Sequence, residues 1–430
     1  MTSQPQRARG SGLTPLAISG LELVNTANAW RPLLRTGYPA MPCFVAGCPT
    51  SELPLRVLGL SILRLCRAGL RGDLRGSTGA AAVGLTGLSW LGLAALYRRG
   101  LRSHVVFDAA LRDALDTAPA REPVLGELDL KASRSPLRRR RRFVSATGTQ
   151  AYGDAGRRNL LDIWRHRDLP DDAKRPVILQ VPGGGWMTGG RRGQAYPLLT
   201  HLAEAGWVGV SMAYRISPRH PWPAHLLDVK RALAWVKANI AEHGGDPSFI
   251  AVTGGSAGGH LAALAALTPH DRSLQPEFEN VDLRVAAAIP IYGRYDWVTL
   301  DGRGRRELMA GVQRFIVQAR IEEALEVFQA ASPLLRVNAD APPFFVIHGD
   351  ADSLIPVEEA RAFVTALRGV SRSPVAYAEL PGAQHAFEVF NSPRARNTAQ
   401  AVHRFLGAVY SSRTVPSALH AHDMAVDMDT

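Results

Sequence analysis

The chain has 430 residues, of which 46% are hydrophobic and 20% charged, and its formal net charge is +12. That composition excludes a disordered or fibrous chain. The length suits one large domain with an accessory segment, or two domains. All of the excess charge lies in residues 1–142, which hold 21 Lys and Arg against 9 Asp and Glu, whereas residues 143–430 hold 29 of each. An anionic partner is therefore expected at the N-terminal third. Cys43, Cys48 and Cys66 fall there too, which excludes a disulfide-stapled domain downstream. Without a second pair at zinc-like spacing they read as small buried residues, and no metal site is expected.

The first 20 residues are interrupted by Pro5, Gly10, Gly12, Pro15 and Gly20, and Glu22 follows, so no signal peptide is read there. Leu53–Leu70 is apolar but punctuated by Arg56, Arg64 and Arg67, the pattern of a basic amphipathic helix lying on a membrane surface or over an apolar cleft. Gly76–Tyr97 is uncharged for 22 residues, about 33 Å as a helix, long enough to cross a bilayer core. Its five glycines weaken that reading. A helical hairpin packed over the following domain is preferred to a true span. Arginines flank both ends, so orientation is not fixed. Arg138–Arg142 reads first as a solvated linker and second as an anionic-lipid contact. Nucleic acid is not expected, because no recognisable module accompanies the run and the rest of the chain is electroneutral.

From residue 143 short apolar runs alternate with helical periodicity. Strands are expected at Val177–Val181, Trp207–Ser211, Phe249–Val252, Val285–Ile291, Phe344–Ile347 and Val375–Leu380, and a helix around Tyr196–Glu204. Between Pro223 and His243, apolar residues step by three and four, and Gly244 suits the C-cap. This alternation predicts an α/β domain with a mostly parallel sheet over 143–410, a helical extension over 1–142 and a frayed tail over 411–430.

Gly254-Gly255-Ser256-Ala257-Gly258 matches G-x-S-x-G between a strand and a helix-forming run. A sharp strand-to-helix turn lifts the serine oxygen off the sheet at a helix N-terminus, where the dipole and the Ala257 amide favour developing negative charge. Pro182-Gly183-Gly184-Gly185-Trp186 follows another strand end. The amides of Gly183, Gly184 and Ala257 are the expected oxyanion hole, and Trp186 the expected pocket wall. A phosphate loop is disfavoured, since no Gly-Lys-Ser/Thr follows. A serine nucleophile needs a base and an orienting acid. His385, in the loop after Val375–Leu380, supplies the base, and Asp350 and Asp352 both qualify as the acid.

Together, PGGGW at Pro182–Trp186, AYRISPRHPWP at Ala213–Pro223, GGSAGGH at Gly254–His260, and HGDADSLIPV with GAQHAF resemble the hormone-sensitive-lipase-like esterases of the α/β-hydrolase fold. The mycobacterial type with a long apolar N-terminal extension is most similar. The resemblance places the acid on Asp352 and implies a Ser256–His385–Asp352 triad acting on short-to-medium acyl esters without a cofactor. It implies a helical N-terminal cap, which here serves as a lid, as a membrane attachment, or as both; the segment Arg305–Ala330 adds to that lid. Localisation is then membrane-associated or cytoplasmic, with a small-molecule or lipid ester as substrate and an anionic membrane surface as partner of residues 1–142. Oligomeric state is not read from the sequence. The rival readings are an interface-active lipase on long-chain acylglycerols, an inactive binding protein, and amide rather than ester cleavage, since relatives of this motif set cleave aryl formamides. Three positions depart from the family pattern: Pro182 replaces its usual His, Gly255 its frequent Asp, and Ala213 the Asp of Asp-Tyr-Arg.

Overall fold

The computed structural model describes residues 13–35, 37, 39–115, 136–145, 148–301 and 303–414. Eight strands form one sheet: β1 (Thr149–Ala151), β2 (Leu160–Trp164), β3 (Arg175–Val181), β4 (Val208–Met212), β5 (Gly245–Gly255), β6 (Ala287–Ile291), β7 (Phe344–Gly349) and β8 (Val375–Leu380). Their order is β1-β2-β4-β3-β5-β6-β7-β8. β1, β2 and β4 are joined antiparallel, and β3 to β8 and β4 run parallel. Parallel strands buried on both faces read as continuous apolar runs, which is why the six expected strands all lie within or against observed ones. The short antiparallel pair β1 and β2 had no such run to reveal it.

The helices are α1 (Leu13–Trp30), α2 (Ala40–Glu52), α3 (Pro54–Arg71), α4 (Gly76–Ala114), α5 (Pro136–Phe143), α6 (Tyr196–Glu204), α7 (Ala224–Asn239), α8 (Ala257–Leu267), α9 (Arg303–Gly311), α10 (Leu325–Ala330), α11 (Val357–Val370) and α12 (Pro393–Thr414). Gly244, left-handed at φ +79°, ends the turn after α7 as expected. Successive strand residues point to opposite faces and fill two cores. Val177, Leu179, Val252 and Val346 pack against α7, α8 and α11. Ile178, Ala251, Ile289 and Phe345 pack against α6, α12 and the C-terminal part of α4.

Four expectations need correction. Gly76–Tyr97 is not a hairpin: it opens one continuous helix of 39 residues, because neighbouring helices supply contacts that outweigh glycine's low propensity. The boundary at 142/143 is not one of packing, since Phe107, Ala110 and Leu111 of α4 share a core with Phe345 and Phe405. The arginine run is not simply a solvated linker: Arg140 bonds the fully buried Asp162 at 2.7 Å, beside Arg191 at 2.9 Å. Residues 411–414 are not a frayed tail but continue α12, while 415–430 lie outside the described residues. Of the cysteines, Cys48 is buried, Cys43 half-buried and Cys66 exposed. The segment Arg305–Ala330 folds as α9, a π-turn at Val312–Val317 and α10. Its Met309, Ile316 and Phe328 enter the core.

Candidate active site

The C-terminal ends of parallel strands share one rim, and loops leaving that rim form the site. β5 leads into Ser256, whose φ of +58° and ψ of −123° place a non-glycine residue where L side chains are strained. The turn is held by the Ser256 amide donating to the Ile291 carbonyl at 3.0 Å, and by the first helical bond, His260 N–H to Ser256 C=O, at 3.0 Å. Ala257 opens α8, so its amide has no intrahelical acceptor. Gly258 must be glycine, because a Cβ there would lie 2.9 Å from the Pro182 carbonyl.

β7 leads to Asp352 and β8 to His385. His385 Nδ1 lies 2.7 Å from Asp352 Oδ2, which sets the imidazole with its Nδ1 proton on the carboxylate and leaves Nε2 to accept a proton. Asp352 Oδ1 accepts the amides of Leu354 and Ile355 at 2.8 Å each. Burial alone would raise this carboxyl; the His385 and His348 rings beside it outweigh that and hold it well below the usual range. Asp350 has another task. It is exposed, and its Oδ1 accepts the Gly382 amide at 2.6 Å, bracing the histidine loop. Gln384 Oε1 joins the two loops, accepting from the amides of Ser353 and His385 at 2.8 Å each.

β3 leads to the glycine loop. A Cβ on Gly183 would lie 2.6 Å from the Gly255 carbonyl and 3.3 Å from Ser256 Cβ, so the loop passes directly against the serine. The BD-FAE family profile matches residues 161–367. The chain is 45% identical over 407 residues to "Probable carboxylic ester hydrolase LipM" of Mycobacterium tuberculosis, covering 93% of this chain and 94% of that one. It is 41% identical over 423 residues to "Esterase LipQ" of the same organism, covering 96% and 95%. The chain belongs to the hormone-sensitive-lipase-like carboxylesterases. A solved structure, Thermogutta terrifontis esterase 2 phosphonylated by sarin, matches with a TM-score of 0.52 at 26% identity over 63% of the esterase and 96% of that chain. The esterase is therefore a carboxylic ester hydrolase of the α/β-hydrolase fold.

Two expected site residues are placed differently from expectation. The Gly183 amide donates to Gln194 Oε1 at 2.7 Å, and Gln194 Nε2 donates back to the Gly183 carbonyl at 3.3 Å. That amide, expected to face an oxyanion, is occupied by Gln194 in this structure. Trp186, expected as a pocket wall, is packed inward and only 5% exposed. Its φ is +59°, it is buried in the core, and it meets Trp297 edge-on at 5.0 Å between ring centroids. Its Nε1 donates to His260 Nδ1 at 3.3 Å, and His260 Nε2 bonds the Ala331 carbonyl at 2.7 Å. Burial lowers His260 to about 3, so this ring is a neutral structural link.

The three departures from the family pattern have local answers. At Pro182, Gln194 and the Tyr214 hydroxyl, which donates to the Pro182 carbonyl at 2.9 Å, anchor the loop. At Ala213, the neighbouring Arg215 takes buried Asp228 as its partner at 2.7 Å, and the Tyr152 hydroxyl donates to the Ala213 carbonyl. At Gly255, a Cβ would lie 2.8 Å from the Tyr292 ring. Tyr292 hydrogen-bonds the buried Glu388 and lies 4.6 Å from the His385 ring. Sequence reading missed Gln194, Tyr292 and Glu388; the only signal was the absence of His at 182 and of Asp at 255.

Burial raises the Glu388 carboxyl above its ordinary value, with Glu52 adding to the effect, and burial with Glu388 raises Tyr292 far above its own. A carboxyl raised in the folded state stabilises fully below its unfolded pKa of about 4.3 and loses that contribution as pH rises through the folded pKa. Gln keeps an acceptor for Tyr292 and cannot ionise. Glu388→Gln is therefore expected to gain thermal stability relative to the parent as pH rises from about 4 to about 8, measured by thermal denaturation at each pH.

Proposed function

We propose that the esterase hydrolyses its substrates through Ser256, His385 and Asp352, with the amides of Gly184 and Ala257 as oxyanion donors. Ser256 Oγ attacks the ester carbonyl while His385 Nε2 takes its proton, and negative charge on the former carbonyl oxygen is met by the two amides. The imidazolium, stabilised by Asp352, protonates the leaving alcohol. Water then repeats the cycle on the acyl-enzyme and releases the acid. The observation that carries this reading is the buried 2.7 Å contact between His385 and Asp352, on the same strand-end rim as the strained Ser256 turn.

The preferred substrates are short-to-medium acyl esters. α2 stands over the histidine loop, with Phe44 edge-on to His385 at 5.9 Å and Cys48 Sγ donating to the His385 carbonyl at 3.2 Å. The second reading, an interface-active lipase, draws support from the apolar exterior of α1, α3 and α4. Activity rising steadily into long acyl chains would favour it.

A phosphonate adduct is the appropriate probe, since the Thermogutta terrifontis protein was trapped in that form. Fluorophosphonate treatment is expected to give one adduct, mapped by mass spectrometry to Ser256 and absent from Ser256→Ala. A folded parent that takes no label would overturn the assignment.

A further inference from the structure

The N-terminal helices bury a polar seam beside a small apolar cluster of Ala29, Leu93 and Leu96, and turn many of their large apolar residues outward. Ser19, Thr26, Ser61, Thr86 and Ser89 are buried where α1, α3 and α4 meet. They are bonded to one another or to the Arg64–Glu22 ion pair: Thr26 to Ser89 at 2.8 Å, Thr86 to Ser19 at 2.9 Å, and Arg64 to Glu22 at 2.8 Å, with Ser61 on Glu22 at 2.9 Å. The exterior also carries large apolar residues, with Leu21, Leu60 and Leu91 69–70% exposed. Among the described residues, 17 of the 21 exposed large hydrophobics fall between Ile18 and Val105. Water-soluble bundles put their leucines inside; small polar contacts inside and leucines outside is the arrangement favoured in hydrocarbon. The most apolar window of α4 is only 33% buried, unlike a core helix of a soluble domain.

The charges fit the same picture. Contacts of Ser19 with Thr86, of Thr26 with Ser89 and of Trp30 with the Gly92 carbonyl run α1 alongside α4 in one direction. Those of Ser61 with Trp90 and Arg64 with Thr86 run α3 in the opposite one. Exposed Arg67, Arg71 and Arg75 therefore gather at the outer end, and exposed Arg31, Arg56, Arg98 and Arg102 at the end nearest the hydrolase. Between Arg75 and Arg98 the α4 exterior is uncharged over 22 residues, about 33 Å against a hydrocarbon core of about 30 Å. Arg56 and Arg67 lie close enough to the ends to extend their guanidinium groups outward.

We infer that α1, α3 and the N-terminal half of α4 form a bundle embedded in the hydrocarbon of a lipid bilayer, with the two arginine sets in its headgroup layers. α2, at the near end, rests on the histidine loop through Phe44 and Cys48. The active site thereby sits at the membrane surface and takes esters that partition into the bilayer, a substrate class that rests on the serine-esterase reading.

The test uses the full chain in vesicles of equimolar phosphatidylcholine and phosphatidylglycerol. The environment-sensitive fluorophore NBD is attached at Leu91→Cys in a Cys43→Ser, Cys66→Ser background, with Leu335→Cys on the hydrolase as the exposed control. The expected result is blue-shifted emission at position 91, quenched by mid-chain spin-labelled lipid and shielded from iodide, with the reverse at position 335. Iodide quenching at both positions would overturn the inference. A blue shift that grows with protein concentration without lipid would overturn it too, by assigning the belt to a second copy. Hydrolysis of a water-soluble short-chain ester is measured on the same samples. Activity without insertion sinks only the membrane inference, and insertion without activity sinks only the catalytic reading.

Discussion

Asp352→Asn is expected to lower kcat by about 10⁴-fold with little change in KM, measured with a water-soluble short-chain ester. The side chain keeps its shape, and the remaining oxygen still accepts from the amides of Leu354 and Ile355, so the loop is expected to fold. What changes is the partner offered to His385 Nδ1. An amide NH₂ in place of Oδ2 favours the tautomer with its proton on Nε2, which cannot accept the Ser256 proton. Asp350→Asn is the control. Its oxygen serves the Gly382 amide, Asn preserves that acceptor, and the rate is expected to stay within a few-fold of the parent. Equal losses in the two variants would move the acid off Asp352.

The second large effect is on stability. Glu52, at the end of α2, and Arg394, at the start of α12, form an ion pair in which each side chain is only 1% exposed. Ser392 also donates to Glu52 at 2.8 Å, while the Arg394 Nε and Nη2 atoms have no other acceptor among the described residues. Glu52→Ala leaves a guanidinium buried without its counter-charge, at an expected cost of about 3–5 kcal/mol, read from urea unfolding. Removing both charges with Glu52→Leu and Arg394→Met is expected to recover most of that loss, since a buried pair replaced by apolar groups is often neutral. A double variant as unstable as the sum of the singles would show that the two residues act independently.

The parts of this esterase that were legible in its sequence are those where chemistry constrains neighbouring residues. The Ser256 turn, the triple glycine and the aspartate and histidine loops each carry their signature within a few positions, and buried parallel strands spell themselves as apolar runs. What escaped is held by pairs far apart in the chain. Gln194 serves Gly183 from 11 residues away, Glu388 meets Tyr292 across 96, and Arg394 meets Glu52 across 342. No local pattern announces such partners. The sequence predicts a helical extension over 1–142 without placing α1 and α2 individually; Pro15 and Gly20 sit inside α1 and Pro49 inside α2, where a local pattern gives no helix bounds. The misplaced boundary at 142/143 followed charge, whereas the fold follows the apolar face of α4.

That face also sets an order of events. Phe107 meets Phe345 at 6.2 Å between ring centroids, Asn397 donates to Ser103 at 2.9 Å, and Arg404 pairs with Asp108. Each of these three partners is synthesised more than 200 residues after the α4 residue it meets. During elongation the N-terminal helices can pair with one another at once, while the lower half of α4 waits for β7 and α12 to arrive. The last wall of the hydrolase core is thus the first one made. Completing the catalytic unit therefore requires the sheet and α12 to meet a helix made more than 200 residues earlier.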